Sequence, residues 1–239
     1  MLFTSSFLIA VVVSIAQAQT PEGFTPVVST KLDVVFNSTA VRTSGQLLTK
    51  AGTASAPQIA AVGEAINQED TYMFVMVDLD VPPANGTTTR RTLLHALTTD
   101  FKVTQQSFSN STSGSLLASS EEGPATYRGP SPPATDTIPH RYVQLLFQQP
   151  ETLAVQATDF AETSSRIGFD INAFMQEQGL SAPLAANFFT VDGKAEANGT
   201  ATTAGGSPTR TPEMFTGAAK KVDISFGWAG LLGGLAIIM

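Results

Sequence analysis

The sequence predicts a mainly β domain with a few peripheral helices, and three observations carry that expectation. Short runs at 32–36, 72–78, 93–98 and 141–147 are rich in β-branched and aromatic residues and are punctuated by Gly, Pro and Asn. In Tyr72-Met73-Phe74-Val75-Met76-Val77-Asp78 both alternating sets of side chains are apolar, the pattern of a central strand covered on both faces. Only one helix is convincing, near the C-terminal end of the domain. Ile171, Phe174, Met175 and Gln178 share a face there, Asp170 can cap its start, and Gly179 stops it.

Composition narrows the chemistry. The 239 residues are 42% apolar and 14% charged, a globular balance that excludes a disordered chain. The net charge of -7, with no basic cluster to follow a phosphate backbone, argues against a nucleic-acid partner. With zero cysteines, disulfides, iron–sulfur clusters, cysteine-based zinc sites and thiol catalysis all fall away. Two histidines exist, so any imidazole chemistry belongs to His95 or His140.

Both ends read as processing signals. An apolar run from Phe7 to Ile15 followed by Ala16-Gln17-Ala18 is the layout of a secretory signal peptide over 1–18. It stops short of the ~20 apolar residues that a membrane-spanning helix needs. At the other end, Gly217-Ala218-Ala219, a short polar spacer and an apolar tail from Phe226 to Met239 match a GPI-attachment signal over 218–239, with Gly217 as attachment residue. A helix docked on the domain is the rival reading of that tail. The folded domain is expected over 19–191 and a Ser/Thr/Gly-rich stalk over 192–217, where almost nothing apolar is available to bury. A second low-complexity run, 107–120, reads as a mobile surface loop. Sequons at Asn37, Asn85, Asn110 and Asn198 mark four surface positions for glycosylation. The protein is therefore expected outside the cell, held on the plasma membrane or cell wall by its anchor.

Two segments concentrate the unusual chemistry. Asp78-Leu79-Asp80-Val81-Pro82 ends the central strand and His95 lies in the next one. Tyr127-Arg128-Gly129-Pro130-Ser131-Pro132-Pro133 leads to His140-Arg141-Tyr142 at a strand start. Paired acids at a strand end, both histidines and two of the three tyrosines are what a small polar pocket requires.

These segments resemble the phosphatidylethanolamine-binding protein family. Asp78, Asp80, Pro82 and His95 match its first signature, and Pro132, Pro133, His140, Arg141 and Tyr142 its second. Phe169 to Phe189, with Gly179-Leu180, Pro183 and Ala186-Asn187-Phe188-Phe189, is similar to its closing segment. The resemblance implies a mainly antiparallel β fold with a small anion pocket for a phosphate head group, lined by Asp78, Pro82, His95, Ser131, Pro132, His140 and Tyr142. The residue chemistry agrees. His95 and the Tyr142 hydroxyl can donate to phosphate oxygens, while Asp78 can accept from an ammonium or orient His95. Asp80 is expected to brace the turn, Arg141 to pair with a carboxylate beneath the pocket, and Tyr127 and Pro133 to shape the surroundings. Leu79, Leu93-Leu94 and Ser131 depart from the family pattern. The last replaces a glycine that faces the anion in the family, so its side chain is expected to intrude on the pocket, with an added hydroxyl donor as the alternative.

Other chemistries fit less well. A hydrolase built on Ser131 lacks a G-x-S-x-G elbow. A metal site of His95, His140 and Asp78 has acceptable ligands without diagnostic spacing, and nothing singles out a carboxylate pair for glycoside cleavage. The expectation is a non-enzymatic binding protein, without cofactor or metal, for phospholipid head groups or similar phosphate-bearing small molecules. The alternative, which the resemblance also implies, is an inhibitor or modulator of a protein partner such as a serine carboxypeptidase.

Overall fold

Alternation along residues 72–77 sets the architecture. Tyr72, Phe74 and Met76 enter one core with Phe36, Ile59, Leu117, Tyr142 and Phe189. Their neighbours Met73, Val75 and Val77 enter a second core with Val143, Phe147, Phe169, Ile171 and Phe174. One strand can serve two cores only if it is covered on both sides, and a curled sheet with elements packed outside it satisfies that demand.

The computed structural model describes residues 17–63, 65–108 and 114–194. Its strands are β1 (Asp33–Phe36), β2 (Thr39–Ala40), β3 (Gln46–Leu48), β4 (Gln58–Val62), β5 (Tyr72–Val81), β6 (Arg91–Ser107), β7 (Gly114–Ala118), β8 (His140–Gln148) and β9 (Ala185–Val191). They form one mainly antiparallel sheet in the order β2-β1-β4-β7-β6-β5-β8-β9-β3, with β3 parallel to β9. The segment before β1 returns to β9 through a bridge between Lys31 and Ala186. There the Leu32 N–H donates to Ala186 O at 2.7 Å, so the sheet curls back on itself and encloses the first core. The Asn187 amide locks the seam by donating to Leu32 O at 2.9 Å.

Two α-helices occur among the described residues, α1 (Thr163–Arg166) and α2 (Ile171–Glu177). In α2 the Asp170 carboxylate accepts from the backbone N–H groups of Asn172 and Ala173. Gly179, at φ +63°, ends the run as the sequence predicts.

The expected mobile loop at 107–120 is corrected where the structure describes it, residues 109–113 lying outside the described residues. β6 runs on to Ser107, and β7 (Gly114–Ala118) lies between β4 and β6, pairing with both. Leu117 explains the difference: it is buried in the first core, and a single well-placed apolar side chain recruits a Ser-rich stretch into the sheet. Asn37 and Asn85 are exposed. Asn110, Asn198, Gly217, nearly all of the expected signal peptide and most of the stalk and tail lie outside the described residues.

Candidate functional site

His95 reaches the site because β6 carries an extra residue. Met76 pairs with Ala96 and Val77 with Leu94, which leaves His95 as the bulged position between them. Leu94 and Leu97 then both face the second core, and His95 turns the other way. Its ring meets Tyr142 edge-on, with centroids 5.1 Å apart and planes at 89°. The segment after Tyr127 holds the bulge in place: Arg128 N–H donates to His95 O at 2.8 Å, and His95 Nδ1 lies 2.7 Å from Arg128 O.

A carbonyl can only accept, so Nδ1 carries the proton. Burial lowers the His95 pKa, against the opposing pull of the Arg128 carbonyl and Asp78. Neutral His95 therefore has a bare Nε2. That atom is buried without a hydrogen-bond partner, and the Tyr142 hydroxyl is in the same state. Burial, with Asp78 adding to it, pushes the Tyr142 pKa up, so the hydroxyl keeps its proton and can donate.

β5 and β8 place the rest. Asp78 sits opposite Tyr142 in the ladder. The expected orientation of His95 by Asp78 is not a direct bond, because their closest approach is 3.9 Å. Asp78 instead accepts from His140 Nδ1 at 2.8 Å. The second ring nitrogen of His140 is also engaged, 2.9 Å from Asp136 Oδ2. Burial works against a charge on His140, but the two carboxylates outweigh it and raise its pKa. Arg90 grips Asp136 with two hydrogen bonds, at 2.7 and 2.8 Å, and together with His140 it holds the Asp136 carboxyl well below the usual range.

Asp80 and Arg141 form a separate brace. Arg141 donates from Nε and NH2 at 2.8 and 2.9 Å, and its backbone N–H adds a third bond at 2.8 Å. Asp78 Oδ1 accepts from the Asp80 N–H at 2.7 Å, tying brace to pocket. Tyr127 turns away to donate to Thr53 O at 2.6 Å. Pro82 accepts from Arg91 through its carbonyl, and Pro132 is buried. Pro133 O sits where the chain leaving β9 passes: a Cβ on Gly193 would come within 2.0 Å of it, so only glycine fits there. Ser131 is exposed, and its hydroxyl bonds to no described residue. The side chain that closes on His140 is that of Asp136.

The sequence reading missed Asp136 and Arg90. Asp136 lies four residues before His140 in an irregular segment with no periodicity to read, and Arg90 is 46 residues from its partner, so neither carried a local signal. Asp78, Asp80 and Asp136 are balanced by Arg90, Arg141 and a protonated His140. An incoming anion therefore meets no unspent fixed positive charge in this set. No group of three His, Cys, Asp or Glu side chains arranged for a metal ion occurs among the described residues. An apolar cavity of about 590 Å³, lined by Ile59, Phe74, Phe101 and Leu117 among others, includes none of this network.

A curled antiparallel sheet thus carries buried, unpaired polar groups on β6 and β8. The family model for phosphatidylethanolamine-binding protein matches residues 37–189, and the chain belongs to that family. It is 34% identical to phomoidride biosynthesis cluster protein N of Talaromyces stipitatus, over 79% of this chain and 98% of that protein. It is 30% identical to a 26 kDa secreted antigen of Toxocara canis, over 67% of this chain and 56% of the antigen. Among solved structures, a carboxypeptidase Y inhibitor complexed with its cognate proteinase superposes with a TM-score of 0.52 at 24% identity. That alignment covers 70% of this chain and 84% of the other, and the likeness is one of fold.

Proposed function

We propose that this protein is a secreted, surface-anchored binding protein whose pocket takes a phosphate-bearing head group between His95 and Tyr142. One observation carries the reading: His95 Nε2 and the Tyr142 hydroxyl are both buried with no hydrogen-bond partner, on rings that meet edge-on. Buried polar atoms left unpaired cost about 1–3 kcal/mol each, a cost that a ligand oxygen would remove. Tyr142 donates as it stands. His95 donates only after taking up a proton, and that proton supplies the positive charge that the balanced carboxylates and arginines do not.

Binding rather than catalysis suits the same geometry. Both nitrogens of His140 are bonded, so it is not free as a general base, and Asp78 is committed to orienting it. The secreted and anchored form rests on the terminal sequence patterns alone.

Calorimetry with phosphorylethanolamine tests the pocket. His95→Ala should weaken binding by about 1.5–3 kcal/mol, the worth of a hydrogen bond to a charged group, while the far-UV circular dichroism stays unchanged. An equal loss on replacing exposed Lys102, or none at His95, sinks the reading. Inhibition of a serine carboxypeptidase without any small-ligand binding would favour the partner-modulating alternative.

Treatment of intact cells with a phosphatidylinositol-specific phospholipase tests the anchor. The released protein should show no tryptophan emission, because the single tryptophan, Trp228, lies in the expected tail. Protein that stays on the cells and still reacts with an antibody to the tail contradicts the anchor.

A further inference from the structure

Arg90 and His140 together make a two-pronged anion cradle that is already filled. The guanidinium meets both oxygens of Asp136, through NH1 at 2.8 Å and NH2 at 2.7 Å. His140 Nε2 approaches Asp136 Oδ2 at 2.9 Å, on the same oxygen that NH1 contacts. A planar fork facing two oxygens, with a second cation alongside, is the geometry that recognises a free carboxylate or a phosphate. Here the occupant is a side chain of the molecule itself.

The cradle adjoins the unpaired atoms of His95 and Tyr142. His140 Nδ1 bonds Asp78 Oδ2 at 2.8 Å, and His95 Nε2 lies 3.9 Å from that same oxygen. His140 also lies over Tyr142, with centroids 6.4 Å apart and planes at 25°. The segment that carries Asp136 is tied down lightly. Between Pro132 and His140 every residue except Asp136 is exposed. The backbone holds Asp136 through its own N–H to Pro133 O at 3.0 Å and through the N–H groups of Thr137, 2.7 Å from Oδ1, and Ile138, which face its carboxylate. The segment therefore has little buried apolar surface to lose if it moves.

We propose that Asp136 is an internal ligand, a carboxylate latch that occupies a phosphate-monoester subsite formed by Arg90 and His140 and that external phosphate must displace. The proposal rests on the reading of the pocket as a site for phosphate-bearing molecules and adds where the rest of the phosphate charge is met. With the latch closed, an anion finds only Tyr142 and a proton on His95. With the latch open, Arg90 and His140 Nε2 turn toward the ligand, and the Asp136 charge leaves. The groups that face His140 on all sides then sum differently: Asp78 from β5 remains opposite it, Asp80 stays paired with Arg141, and Arg90, still held by NH1 on the Asp80 carbonyl, gives up its two bonds to Asp136. The latch thus sets a threshold, admitting ligands with enough charge and contact to outcompete a tethered carboxylate and rejecting weak monoanions.

Titration of the full folded domain with inorganic phosphate, in wild type and variants, tests the latch. Asp136→Ala should bind phosphate at least about tenfold tighter than wild type, since each charge-assisted hydrogen bond released to the ligand is worth that much. Adding Arg90→Gln to Asp136→Ala should erase the gain. Affinity that is unchanged or weaker in Asp136→Ala, or a gain that survives Arg90→Gln, overturns the proposal. Asp136→Asn keeps the shape and removes the charge, and it decides the matter if the alanine variant fails to fold. Tighter phosphate binding in it supports the latch, and equal or weaker binding overturns it. Failure of the pocket reading looks different: His95→Ala then leaves wild-type phosphate affinity unchanged, whatever happens at Asp136.

Discussion

His95 shows how much one added residue can accomplish. In a regular ladder, alternation would place His95 and Ala96 on opposite faces. The bulge sends both away from the second core, and the carbonyl of Arg128 then fixes which nitrogen carries the proton. The chemistry of the site follows from that choice, because a neutral His95 accepts and a charged one donates. Gln144 on β8 is a different kind of residue. It is fully buried, and neither its amide nitrogen nor its amide oxygen has a partner. Burying an unsatisfied amide is costly, while an apolar group of similar shape loses nothing. Gln144→Leu should therefore raise the free energy of unfolding by about 1–3 kcal/mol in denaturant titrations. A loss of stability would show that the amide is satisfied by a group such as an internal water.

At the scale of elements, legibility tracked how local each signal was. The run at 72–78 announced a strand buried on both faces, and β5 has seven successive buried residues at that position. The helix at Ile171–Glu177 was legible because cap, apolar face and stop all lie within ten residues of one another. β7 was not, since its flanking Ser residues masked two leucines whose partners in β4 and β6 are distant in sequence. In the site, Asp78, His95, His140 and Tyr142 were legible through the strand-end motifs. The bulge left one faint trace, the three-residue spacing of Leu94 and Leu97, which breaks the alternation expected of a strand. The Arg90–Asp136 pair left none, because a contact between two loops has no period to read.

For the whole molecule, the two histidines bias stability in opposite directions. His140 has a raised pKa, so the folded state keeps a proton that the unfolded chain releases above about pH 6.5. Its contribution is complete below that pH and is lost as pH rises through the folded value. His95 has a lowered pKa, so its contribution is present above about pH 6.5 and is lost as pH falls through that value toward its folded pKa. Comparing wild type with His140→Gln by denaturant midpoint isolates the first effect. The stability difference in favour of wild type should shrink as pH rises above about 6.5. A difference that stays level or grows would place the neutral form of His140 between the two carboxylates.

Proton-linked anion binding at His95 is the central claim, and sulfate tests it most directly because it keeps both negative charges from about pH 5.5 to about pH 8, where an unshifted imidazole titrates. Calorimetric titration at several pH values, in buffers of different ionisation heat, reads affinity and proton uptake together. Tighter sulfate binding as pH falls, with net proton uptake on binding and the linkage abolished in His95→Gln, is the predicted result. Sulfate binding that is independent of pH, or whose proton uptake persists without His95, would contradict the account.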